Sequence, residues 1–243
     1  MQVTINSIMI LEVQGLKKRF GGVIAVDGFD FFVKEKEILG LIGPNGAGKT
    51  TVFNLIMGNL KKDSGKVFFK GKDITNLKTH EIVKLGMART YQIPKPFYDI
   101  TVGENIEIGM ISDGAKAILG KGNYDVREIA RATGLIEHLS KMPNELTAGQ
   151  LHRLELARAL STNPELVLVD EVFAGLTIEE VSSISEAIKK LRENITFVMV
   201  DHNLRALGPI VDRVIVIHGG KKVTEGAFKE VVNDERVRKV YMG

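Results

Sequence analysis

EILGLIGPNGAGKTT, residues 37–51, runs from an apolar stretch into a glycine-rich turn and leaves it through a lysine and two threonines. Gly43, Gly48, Lys49 and Thr50 fit the spacing G-x-x-x-x-G-K-[ST] of a phosphate-binding loop. Glycines let the main chain turn its N–H groups inward around phosphate oxygens, and the start of the following helix adds a favourable dipole. On this reading Gly43, Pro44, Asn45, Gly46, Ala47, Gly48, Lys49, Thr50 and Thr51 surround the phosphates. Lys49 reaches the β- and γ-phosphates and the Thr50 hydroxyl ligates Mg²⁺. A glycine turn beside a surface lysine could carry the same four residues. The context decides: an apolar strand precedes the turn, and KTTVFNLIMGNL follows with Val52, Leu55 and Ile56 at helical spacing.

A phosphate loop needs a second strand bearing a carboxylate to manage the magnesium, usually through water. LVLVDEVFAGLT, residues 166–177, supplies one. Its apolar run predicts a strand buried on both faces, and Asp170 falls at the carboxyl edge, where ligands of open α/β sheets bind. A polar strand end feeding a helix cap is the plainer alternative. Thr177 and Glu180 already form a capping box, so the cap does not need the two acids. If strand geometry persists, Asp170 and Glu171 point to opposite sides, one toward metal and the other toward water.

Outward from these two stretches the chain reads as strands in its first third: MILEVQGL, FDFFVKEKEILGLIG and GKVFFKGKDIT. Gly21-Gly22 and Asp63-Ser64-Gly65 supply turns between them. From about 92 to about 163 the pattern becomes helical after the loop YQIPKPFYDI, with VGENIEIGM, DVREIARATGL and GQLHRLELARAL. The last third alternates: the strand at 166–170, a helix IEEVSSISEAIKKLREN, a strand ITFVMVD, a helix around NLRALGPIV, then RVIVIHGGKKVTEGA. The end, FKEVVNDERVRKVYMG, predicts a surface helix. Strands alternating with helices imply an α/β layer with parallel strands, and the helical middle reads as an insertion.

The totals narrow the function classes. The chain has 243 residues, 44% hydrophobic and 26% charged, enough for a sizeable core. A net charge of +3 gives no argument for nucleic acid or an anionic membrane surface. There is no cysteine, which removes disulfides, thiolate metal sites and cysteine nucleophiles. No apolar run approaches the roughly 20 residues of a membrane span. MQVTINSIMI lacks the flanks of a signal peptide, so the expectation is a soluble, unexported protein with residues 1–8 as a short extension.

In order along the chain, these residues resemble the ATP-binding subunits of ABC transporters over nearly the whole length. GPNGAGKT is similar to the family's Walker A, and Gln92 in ARTYQ to its Q-loop glutamine. LTAGQ at 146–150 resembles the signature, and LVLVDE resembles Walker B with its catalytic glutamate. His202 in VMVDHN matches the switch histidine, and Phe20 in KKRFGG the aromatic that stacks on adenine. The resemblance implies one domain, 1–243. Its P-loop NTPase core is built from 9–91 and 164–243, with an antiparallel β part, and an α-helical subdomain is inserted at about 92–163. It implies ATP hydrolysis in which Thr50, Asp170 and Gln92 manage Mg²⁺, Glu171 polarises water, and His202 holds the γ-phosphate. It also implies a second ABC ATPase subunit paired head to tail, whose Thr147, Gly149 and Gln150 close over the ATP.

Further partners implied are integral membrane permease subunits meeting Ile93, Pro94, Phe97 and Tyr98, and indirectly a solute-binding protein. The location implied is peripheral, on the cytoplasmic face of the membrane. The chain departs from the family's wording at Val172, at Thr147-Ala148-Gly149 and at Thr177. KRFGGVIAVDGFDFFVKEKEILGLIGPNGAGKTTVFNLIMG looks most like the branched-chain amino acid importers. DEVFAGL and VDHNL also resemble the lipopolysaccharide-export ATPases, and a soluble ABC ATPase without a membrane partner is a third reading.

Overall fold

The computed structural model describes residues 8–110 and 125–242. The chain opens with three strands, β1 (Met9–Phe20), β2 (Val23–Lys34) and β3 (Ile38–Ile42). The run expected as one strand at 29–43 is two, broken at Lys36, whose φ of 61° turns the chain. Helix α1 (Lys49–Ile56) follows, then β4 (Ser64–Phe69), β5 (Lys72–Asp73), α2 (Thr79–Lys84) and β6 (Met87–Arg89). Helices α3 (Val102–Met110), α4 (Val126–Ala132) and α5 (Ala148–Leu160) occupy the middle. The last third runs β7 (Leu166–Asp170), α6 (Ile178–Leu191), β8 (Thr196–Val200), α7 (Leu204–Leu207), β9 (Arg213–His218), β10 (Lys221–Gly226), α8 (Phe228–Val231) and α9 (Glu235–Met242).

Two sheets result. The first is antiparallel, in the order β2-β1-β4-β5; the second has the order β10-β9-β3-β8-β7-β6. In the second, β9, β3, β8, β7 and β6 are parallel and β10 adds an antiparallel edge. All five residues of β3, β7 and β8 are buried, because this sheet is covered on both faces. Alternate residues divide between two cores. Ile38, Val167, Val169, Phe197 and Met199 pack with α5 and α6 on one face. Leu39, Leu41, Leu166, Leu168 and Val198 meet α1 and the antiparallel sheet on the other. Each fully buried side chain of this size contributes about 1.5–3 kcal/mol. Leu168→Asp would place an unpaired carboxylate between the sheets and break that layer.

Two expectations need correction. The helix around NLRALGPIV is a single turn, Leu204–Leu207, since Gly208 and Pro209 follow and proline has no N–H to continue the ladder. The C-terminal surface helix is two helices, α8 and α9, separated by residues 232–234. Val231 and Val237 are buried, so both helices are docked on the core. The predicted extension 1–8 lies, apart from Ile8, outside the described residues.

Candidate nucleotide site

The parallel strands all end on one edge, and the chemistry gathers there. β3 delivers the loop 43–48. An added Cβ at Gly43 would lie 2.1 Å from the Ile217 carbonyl oxygen, and one at Gly48 2.4 Å from that of Ala25. Gly48 is also left-handed, at φ 111°, and caps α1 with no side-chain hydrogen bond. The first N–H groups of α1 are therefore left for a ligand. Lys49 folds back, donating from Nζ to the carbonyls of Gly43 (2.7 Å) and Pro44 (2.9 Å). Burial pushes its pKa down, opposed by the carboxylates of Glu171, Asp170 and Asp201.

β7 delivers the two acids, and they differ. Asp170 is the last strand residue and fully buried. Its Oδ2 accepts from Arg89 Nη2 at 2.9 Å, and its N–H donates to Thr90 Oγ1 at 3.0 Å. Burial pushes the carboxyl up, and Arg89 opposes it. Its other oxygen, Oδ1, is buried without a hydrogen-bond partner among the described residues. Glu171 lies beyond the strand in the left-handed region, φ 51°, so a backbone turn rather than strand alternation separates the two side chains. Its Oε2 accepts from Gln92 Nε2 at 2.6 Å and lies 3.8 Å from His202 Nδ1. β8 delivers His202, whose side chain is 58% exposed, after the buried Asp201. Asp201 accepts from the N–H groups of Phe173 and Asn203 and so ties the chain after Glu171 to the chain carrying His202.

Asn45–Thr51, Gln92, Glu171, His202 and Ala25 of β2 line one cleft of about 420 Å³. Gln92 faces Glu171. No cluster of three or more His, Asp or Glu side chains suited to a metal occurs among the described residues. The donor set suits Mg²⁺, which takes one or two carboxylates plus phosphate oxygens and waters. Asp170, with its orphaned Oδ1, and the Thr50 hydroxyl fit that demand.

Other expected residues lie apart. Phe20 is exposed at the tip of the β1–β2 hairpin, near Lys18, and is not among the residues lining the cleft. Thr147, Gly149 and Gln150 open α5, also away from that lining. Thr147 Oγ1 accepts from Gln150 N–H, and Gln150 Oε1 accepts from Thr147 N–H, which closes a capping box. Ala148 has helical rather than left-handed backbone, so an alanine there carries no strain. A Cβ on Gly149 would strike the Glu180 carboxylate at 2.3 Å. Thr177 and Glu180 form the expected capping box of α6, and Val172 is buried in the core.

Sequence reasoning missed Arg89, Asp201 and Asn105. Asn105 is buried and bonds the backbone of Phe97 in both directions, shaping the loop after Gln92. Arg158 pairs with Glu155 and also donates to the Lys95 carbonyl at 2.7 Å, tying α5 to the same loop.

A glycine loop on a parallel sheet, with an aspartate ending the next strand but one and a glutamate just beyond it, defines a P-loop ATPase. Residues 26–174 match the ABC transporter family, and the chain belongs to it. It is 34% identical to the high-affinity branched-chain amino acid transport ATP-binding protein LivG of Salmonella typhimurium, covering 96% of this chain and 98% of that protein. It is 35% identical to a probable LivG of Archaeoglobus fulgidus, over 96% and 95% of the two chains. A solved nucleotide-free ATP-binding cassette from an ABC transporter superimposes with a TM-score of 0.87 at 33% identity, covering 97% and 99%. A cassette solved in its ADP conformation gives 0.85 at 33% over the same shares. The chain is thus a nucleotide-binding ATPase subunit of the ABC transporter family.

Proposed function

We propose that this chain powers uptake of branched-chain amino acids from the cytoplasmic face of the membrane. The observation that carries the catalytic reading is the meeting of Lys49, Gln92, Glu171 and His202 around one cleft. The names of the relatives support the solute class. The helices among the described residues include none long and apolar enough to cross a membrane, which is consistent with separate permease subunits.

In this reading the N–H groups of 46–50 and Lys49 bind the phosphates, and Thr50, Asp170 and Gln92 hold Mg²⁺ and its waters. Bound magnesium would neutralise charge building on the β- and γ-oxygens. Glu171 accepts the proton of the attacking water as its oxygen bonds to the γ-phosphorus, and the bond to the bridging oxygen breaks to release ADP. His202 holds the γ-phosphate and the water in line. Phe20 stacks on adenine. A second subunit, head to tail, contributes Thr147, Gly149 and Gln150. The exposed Ile93, Phe97 and Tyr98 offer the permease an apolar surface. Residues 92–163 act as a helical subdomain within one unit of 1–243, on a core of 9–91 and 164–243.

The test is reconstitution of the chain with its permease and solute-binding protein in vesicles. ATP should drive accumulation of labelled leucine, isoleucine and valine, and Glu171→Gln should abolish it. Hydrolysis coupled to a different solute would overturn the substrate assignment, and a complex that hydrolyses no ATP would overturn the reading as a motor.

A further inference from the structure

Asp170 is held by a residue 81 positions earlier in the chain. The Arg89 side chain is 4% exposed and that of Asp170 0%, so their 2.9 Å pair is out of water. The guanidinium has a second arm. Nη1 donates to Asn54 Oδ1 at 2.5 Å, while Nη2 holds Asp170. The Phe53 and Tyr91 rings lie 5.6 and 5.1 Å from its central carbon and fix its plane. Asn54 sits on α1 four residues after Thr50, hence on the same face of that helix. One rigid planar group thus bridges the helix that carries Thr50 and the strand end that carries Asp170. It uses one carboxylate oxygen and leaves the other, Oδ1, unengaged.

We infer that Arg89 is a positioning residue that sets the spacing of Thr50 and Asp170 for a divalent cation. This rests on the reading of those two residues as the magnesium ligands. Arg89 acts through geometry: its two arms fix a distance that lysine, a point charge, cannot fix. Groups behind a metal ligand orient it, and their loss shows in metal affinity before anything else.

The experiment titrates Mg²⁺ against binding of a fluorescent ATP analogue to the purified full chain, with a parallel binding curve in chelator. Arg89→Gln should raise the Mg²⁺ midpoint about tenfold, with metal-free affinity for the analogue unchanged. Arg89→Lys should fall between it and the wild type. A general structural lesion would weaken binding in chelator as well, and that result would overturn the inference. Should Arg89→Gln fail to fold, Asn54→Ala decides, since it frees one arm and keeps the ion pair. A raised midpoint supports the clamp and an unchanged one removes it. Asp170→Asn separates the two levels. If it too leaves the midpoint unchanged, Asp170 is no metal ligand and the underlying reading fails. If it raises the midpoint while Arg89→Gln and Asn54→Ala do not, the role of Arg89 alone falls.

Discussion

Helices α1 and α5 both begin with small residues, and their starts are built in opposite ways. α1 begins at Gly48, left-handed and without a side-chain cap, so its first donors are free for phosphate. α5 begins at Thr147, where Thr147 and Gln150 satisfy each other's N–H groups and Gln150 Nε2 contacts His138 Nε2 at 2.9 Å. Each helix N-terminus carries the same partial positive charge. Availability separates them. The first start offers donors already aimed at the cleft, and the second must exchange internal bonds for any anion it meets. In a single chain, nucleotide affinity should therefore reside at α1, and α5 should matter to stability.

The contrast can be broken by substitution. At the α1 edge, Glu171→Gln should cut turnover about 1,000-fold, because a positioned proton acceptor is lost. Calorimetry should still find ATP bound as in the wild type, and normal turnover would remove Glu171 from its role. Lys49→Ala should weaken ATP binding about 100-fold through loss of charge-assisted hydrogen bonds; an unchanged binding isotherm would shift the affinity away from α1. Phe20→Ala should weaken ATP binding about fivefold by losing a stacking face, with the unfolding midpoint unmoved since the ring is exposed. Equal affinity would mean that the hairpin tip does not reach the base. Thr147→Ala should cost about 1 kcal/mol of stability as a lost cap, a fall in Tm of roughly 3 °C, and leave ATP binding by the isolated chain unaltered. A large loss of affinity there would erase the distinction between the two helix starts. Thr147→Ser should behave as wild type.

Features that depend on neighbours in sequence were legible. The loop 43–50 announces itself through glycine spacing and a lysine, and β7 and β8 through unbroken apolar runs between turns. The Thr177–Glu180 box was legible for the same reason. Contacts across long separations were not. β6 has only three residues, too few to show a period, and owes its place to pairing with β7. Arg89 reads as an ordinary polar residue until that pairing sets it against Asp170. Asp201 looks like a strand end until the N–H of Phe173 arrives from 28 residues before it. Glu171 could be named from its position beside Asp170. Its left-handed backbone could not, since strand alternation extrapolated one residue too far predicts a different geometry.

The order of the parallel sheet has a consequence for how the protein is made. Strand β3, which launches the phosphate loop, lies between β8 and β9, so Leu39 pairs with Val198 on one side and Arg213 on the other. Both partners leave the ribosome more than 150 residues after it. Domains form as units, and pairings this distant must wait for the later segment. The nascent chain therefore carries its phosphate loop long before it can hold the loop in shape, and competence to bind nucleotide arrives only after β8 and β9 have emerged.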